Sequence, residues 1–93
     1  MKEITKSQKQ ELVKLGLVSE TDTIDIPKLI ALLPKTITVN DDSAHLNICY
    51  DGEDVLVTYD VFGKSYYYYH IESYTLVDAL YEMVLKLHED NYL

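Results

Sequence analysis

Two of the three histidines, His45 and His70, fall in strand-like stretches of this chain, and around them lie the residue types able to move a proton or hold a metal. If the runs pair as successive hairpins, His45, Asp60 and Tyr68 share one cross-strand row, and Asn47, Thr58 and His70 share the next. An imidazole beside a carboxylate with a phenol in reach can transfer a proton, and two converging imidazoles can begin a metal site. Ligation, however, needs three or four converging donors, and the same residues are what an ordinary solvated sheet face displays. The rows are therefore read as surface, with no catalytic residue, no metal and no cofactor assigned. Cys49 falls on the same face beside Leu56, away from both histidines, so no base is at hand to make it a nucleophile. It is expected to be a small, half-buried apolar residue. The acids at Asp41-Asp42 and Asp51 to Asp54 lack the glycine-six, glutamate-twelve spacing of a calcium loop, and three isolated glycines form no phosphate cradle.

The elements that must position these residues are legible from alternation. In DVLVTYDVFGKSYYYYHI, residues 54–71, Val55, Val57, Tyr59 and Val61 oppose Asp54, Leu56, Thr58 and Asp60, the pattern of a half-buried antiparallel strand. The return strand places Tyr67, Tyr69 and Ile71 on the inner face and Tyr66, Tyr68 and His70 on the outer one. Tyr59 then sits opposite Tyr69, with Gly63, Lys64 and Ser65 as the loop. A one-residue slip of the tyrosine run would invert these assignments. Upstream, Ile37 and Val39 belong to a first strand, and Leu46, Ile48 and Tyr50 mark the inner face of a second after a turn over Asn40 to Ala44. Matching inner faces sets Val39 by Leu46, Ile37 by Ile48, Ile48 by Val57 and Leu46 by Tyr59. Gly52-Glu53 forms a two-residue turn with glycine first.

Helices flank this four-stranded meander. Thr5-Lys6-Ser7-Gln8 has the form of a capping box, and Gly16 supplies a stop. Asp25 and Pro27 open a second short helix, with Ile26, Leu29, Ile30 and Leu33 in one stripe and Pro34 as its end. This pair is a poor helix-turn-helix, because its second member offers only Lys28 to a base edge. A last helix from Thr75 to about Asp90 carries Leu76, Leu80, Met83, Val84 and Leu87, a stripe suited to the inner sheet face. Its flank of Tyr81, Leu85, His88 and, if the helix continues, Tyr92 needs a cover of its own. The N-terminal helical pair is one candidate, and a second subunit in a homodimer is the other. The expected fold class is thus α+β: a single domain over 1–93 with a helical pair (1–34), a meander (35–72) and a helix on one sheet face (75–90).

The whole chain has 93 residues, sixteen acids, eight lysines and no arginine. Residues 1–38 are near neutral, with six lysines and five acids, whereas residues 39–93 hold two lysines and eleven acids. That surface repels phosphate, so direct nucleic-acid binding is not expected. Met1-Lys2-Glu3 precedes no apolar run, and a single cysteine forms no internal disulfide, so a cytoplasmic protein away from the membrane is expected. The segments ITKSQKQEL, IDIPKLIALLPKTI and SYTLVDALYEMVLKLHEDNYL together resemble small uncharacterised proteins of phages and prophages of Bacteroides-type bacteria. The resemblance spans most of the chain and implies a mobile-element origin. It lies in helix stripes and caps, so it brings no functional residue with it.

The expectation that follows is a small non-enzymatic accessory domain that binds a protein. Its candidate surface is the outer-face set His45, Leu56, Thr58, Asp60, Tyr66, Tyr68 and His70, an aromatic patch rimmed by acids, with Cys49 and Tyr74 or Phe62 at its edge. Tyrosines suit protein contacts, giving area and a polar tip at small entropic cost. One alternative is an acidic inhibitor in which Asp41, Asp42, Asp51, Glu53, Asp54 and Asp60 stand in for the phosphates of a nucleic acid. The other is a hydrolase-like or metal site on the same outer face.

Overall fold

A computed structural model describes residues 3–93, so the Met1-Lys2 start lies outside it. The elements run α1 (Lys6–Lys14), α2 (Ile26–Leu32), β1 (Thr36–Val39), β2 (Asp42–Asp51), β3 (Asp54–Val61), β4 (Tyr67–Ser73) and α3 (Leu76–Glu89). The four strands form one antiparallel sheet in the order β1-β2-β3-β4, the expected meander.

Each helix starts and stops where its local chemistry directs. Thr5 and Gln8 complete a reciprocal capping box on α1. At the other end Gly16, with φ +78°, lets Leu17 N–H reach Leu12 O and Gly16 N–H reach Val13 O, so the last carbonyls are satisfied. Asp25 caps α2 by accepting from Lys28 N, and Thr75 caps α3 by accepting from Asp78 N. The same closing turn ends α3, with Asn91 taking the left-handed position at φ 67° and Tyr92 N–H donating to Leu87 O at 2.8 Å. Tyr92 consequently lies beyond the helix and is swung under the sheet.

The core fills the space between the helices and one face of the sheet. Val55, Val57, Tyr59 and Val61 of β3 meet Leu80, Met83, Val84 and Leu87 of α3, with Ile37 and Ala44 beside them and Leu12, Leu29 and Leu33 behind. α3 rests on β3 and β4, and α2 rests on α3. α1 joins the same side through buried Leu12 and a hydrogen bond from Gln8 Nε2 to Asp78 Oδ1.

Two registers differ from the simple alternating scheme. Ile37 pairs with Ala44 and Val39 with Asp42, whereas inner-face matching alone sets them against Ile48 and Leu46. The cause is a tighter turn: Asn40 and Asp41 both adopt positive φ, 50° and 68°, as a two-residue primed hairpin turn requires. β2 therefore begins at Asp42, inside the stretch that composition marks as loop. The shift is an even number of residues, so every inner and outer assignment on β1 and β2 survives it.

The β2–β3 register agrees with expectation, including Leu46 with Tyr59 and Cys49 with Leu56. β3–β4 agrees only from Thr58 toward the far end, where Val57 pairs with Ile71 and Thr58 with His70. Nearer the turn Asp60 pairs with Tyr67. One residue of β3, Tyr59, thus spans two of β4, Tyr68 and Tyr69, which is a β-bulge within the tyrosine run.

Candidate functional site: the open sheet face

The bulge decides which tyrosines face which way. Tyr69 stays on the helix side, edge-on to Tyr59 at 6.3 Å and to Tyr92 at 6.2 Å, with its hydroxyl donating to Asp90 Oδ2 at 2.6 Å. Burial, and then the Asp90 carboxylate, push its ionisation upward. Tyr59 donates to Pro34 O at 2.7 Å, and Tyr92 donates to Thr38 O at 3.4 Å. These three rings stand together on the helix side of the sheet, beside the C-terminal end of α3.

Tyr66 and Tyr68 are not on the outer face where strict alternation puts them. Both hydroxyls donate to Asp42 Oδ2, at 2.8 and 2.9 Å, and Asp42 shares the side of β2 that carries Ala44 and Leu46. Lys64 Nζ completes the clasp, 3.3 Å from Asp42 Oδ1 and 5.6 Å from the Tyr66 ring centre. The hydrogen bonds from Tyr66 and Tyr68 hold the Asp42 carboxyl below its ordinary range, and Asp42 in turn raises Tyr68. The residue that alternation assigns inward, Tyr67, is the one on the outer face, half exposed and 5.3 Å from the His70 ring.

The outer face is left uncovered by all three helices. It carries Thr36 and Thr38 of β1, Ser43, His45, Asn47, Cys49 and Asp51 of β2, Asp54, Leu56, Thr58 and Asp60 of β3, and Tyr67, His70 and Glu72 of β4. Phe62 extends it, since its N–H bonds Ser43 O and its ring meets His45 edge-on at 6.1 Å. Cys49 is exposed here, not half-buried, because nothing packs on its side of the sheet.

Toward the β3–β4 turn on this face stands the row His45–Asp60–Tyr67, with Tyr67 in the place expected of Tyr68. Asn47, Thr58 and His70 form the next row as expected. Thr58 is only 7% exposed and donates to Asp60 Oδ1 at 2.7 Å, so the carboxylate is held in one orientation. Among the described residues no ion pair involves Asp60, and His70 Nε2 lies 3.9 Å from Glu72 Oε1 on the same face. Nor do any three His, Cys, Asp or Glu side chains among them come together as a metal would require. At the far end, the neighbouring Asp54 carboxyl and then burial push Glu72 upward. Carboxylates are crowded there.

The flank of α3 is largely met by the chain itself. Tyr81, Leu85 and Tyr92 are half-buried against the core, and burial, then the charge of Glu11 on α1, raise the Tyr81 phenol. His88 is also half-buried, with Nδ1 lacking a hydrogen-bond partner among the described residues. Among the described residues no helix is long and apolar enough to cross a membrane. Comparison with protein-family models, curated proteins and solved structures found no match for this chain.

The bulge is the feature that alternation could not show. A run of four identical residues carries no contrast between faces, so an added residue leaves no trace in its pattern. The one available signal was the acidic Asp42 near the turn, a partner for phenol hydroxyls.

Proposed function

We propose that this protein is a non-enzymatic accessory domain that docks a partner protein on the outer face of its sheet, in the cytoplasm and in the service of a mobile element. The observation that supports it most is the division of the molecule. Three helices crowd one side of a four-stranded sheet, while the other side leaves Phe62, Tyr67 and Leu56 at least partly accessible between polar residues. An aromatic centre with a polar rim is the composition of a protein contact. Catalysis has less support: Asp60 is engaged by Thr58, and no hydrogen bond links it to His45.

A continuous array of phosphate mimics is also less favoured. Asp42 is held in the clasp on the helix side, and the Asp51 to Asp54 turn lies at the opposite end of ten-residue β2, about 30 Å away for an extended strand. The experiment is site-specific photo-crosslinking in extract of the native host, with the probe at Asn47 on the outer face or at Glu82 on α3. A discrete adduct from Asn47 that is absent from Glu82 supports docking on the sheet. Adducts from Glu82 alone, or a homodimer adduct through α3, would sink it.

A further inference from the structure

The charge on the open face narrows the chemistry of what it can hold. Its strands present four carboxylates, those of Asp51, Asp54, Asp60 and Glu72, and no lysine; the nearest lysine of the β3–β4 turn, Lys64, is drawn to Asp42 on the other side. Three of the four crowd the far end, where the neighbouring Asp54 and then burial push Glu72 upward. The fourth, Asp60, stands apart from them on the inner strand β3, toward the opposite end of the sheet.

Asp60 is flanked in a way that the others are not. On one side are His45 and Phe62, edge to face at 6.1 Å, and on the other are Tyr67 and His70 at 5.3 Å. Phe62 is 78% exposed and Tyr67 is 51% exposed, so both rings are accessible. Thr58, two residues back on the same face of β3, fixes one carboxylate oxygen, and no cation of the described residues pairs with the group. An oriented carboxylate between accessible aromatic rings offers a cation both a charged hydrogen bond and π faces. A planar guanidinium uses both at once, more fully than an ammonium does.

Resting on the docking role proposed above, we infer that the occupant of the outer face is a basic segment of a partner protein, which places an arginine side chain on Asp60 between the Phe62–His45 and Tyr67–His70 pairs. Flanking lysines or arginines of that segment lie toward Asp51, Asp54 and Glu72. The chain itself has no arginine, so it cannot fill the position from a second copy.

The test is equilibrium binding, at near-physiological salt, of three short synthetic peptides: one alternating Arg and Gly, one alternating Lys and Gly, and one alternating Tyr and Gly. The arginine peptide is expected to bind best. Asp60→Asn, which keeps an oxygen for Thr58, should weaken it about tenfold, the scale of one charge-assisted hydrogen bond. Phe62→Ala with Tyr67→Ala, both at exposed positions, should weaken it severalfold. Glu82→Gln, an equal change of charge on α3, should leave it within about twofold. Equal losses in Asp60→Asn and Glu82→Gln would mean diffuse attraction to an acidic protein and overturn the site. Binding of the tyrosine peptide alone would overturn the cationic occupant while leaving the sheet face as a docking surface. No binding by any peptide also overturns the inference, whereas the docking role itself stands or falls on the Asn47 adduct.

Discussion

Tyr59 is fully buried, yet its hydroxyl reaches Pro34 O at 2.7 Å, so a polar tip is satisfied inside an apolar layer. Tyr59→Phe should lower the unfolding free energy by about 1 kcal/mol in urea titrations at neutral pH. Burial also raises the ionisation of this phenol above the ordinary value of 10.0, so its contribution is complete below that pH and lost as pH rises through the folded value. The deficit of Tyr59→Phe should therefore shrink above pH 10, and a constant deficit there would contradict the assignment. Asp42 has the opposite sign. Hydrogen bonds from Tyr66 and Tyr68 hold it below the ordinary 3.8, so its stabilisation is present above that pH and lost as pH falls through the lower folded value. Asp42→Asn should destabilise the protein at neutral pH and flatten the acid limb of the stability curve. Those two tyrosines were legible as an interaction surface only on the premise of strict alternation. His45, Leu56, Thr58, Asp60 and His70 needed no such premise and lie on the face expected of them.

At the scale of elements, the caps of the first two helices were the clearest signals, because each depends on a few adjacent residues: Thr5 with Gln8, and Asp25 with Pro27. The β2–β3 register was equally plain, since Asp51-Gly52-Glu53-Asp54 leaves one short way to turn. The β1–β2 turn was less so. Asn40 and Asp41 sit in a longer polar stretch, and only the backbone shows that the two of them make the whole turn, each in a conformation that costs a residue with a side chain. Asp41→Gly should consequently stabilise the domain by up to about 1 kcal/mol, the relief of left-handed strain outweighing the added freedom of the unfolded chain, read from the urea midpoint. A loss of stability would mean that the Asp41 side chain contributes more than its strained backbone costs. The bulge at Tyr68-Tyr69 belongs to this scale too: it bends the edge strand and gives Tyr66 and Tyr68 to Asp42 while it turns Tyr67 outward.

Across the whole molecule, the acids of residues 39–93 are divided by the sheet. Asp42 and Asp90 are taken up by tyrosine hydroxyls on the helix side, while Asp51, Asp54, Asp60 and Glu72 face outward with no lysine among them on the strands. Net charge was visible in the sequence from the start, but its partition required the register of every strand. The α+β architecture followed from alternation and one long amphipathic stripe, and both are long-range patterns that a single bulge does not disturb. What the open face holds is the question on which the functional account turns, and an amide-shift titration by NMR with the arginine–glycine peptide answers it most directly. Shifts are expected to concentrate at His45, Asp60, Phe62, Tyr67 and His70, with Tyr66, Tyr68 and α3 unmoved. Shifts centred on α3 or on the Asp41-Asp42 turn, with the outer face silent, would contradict it.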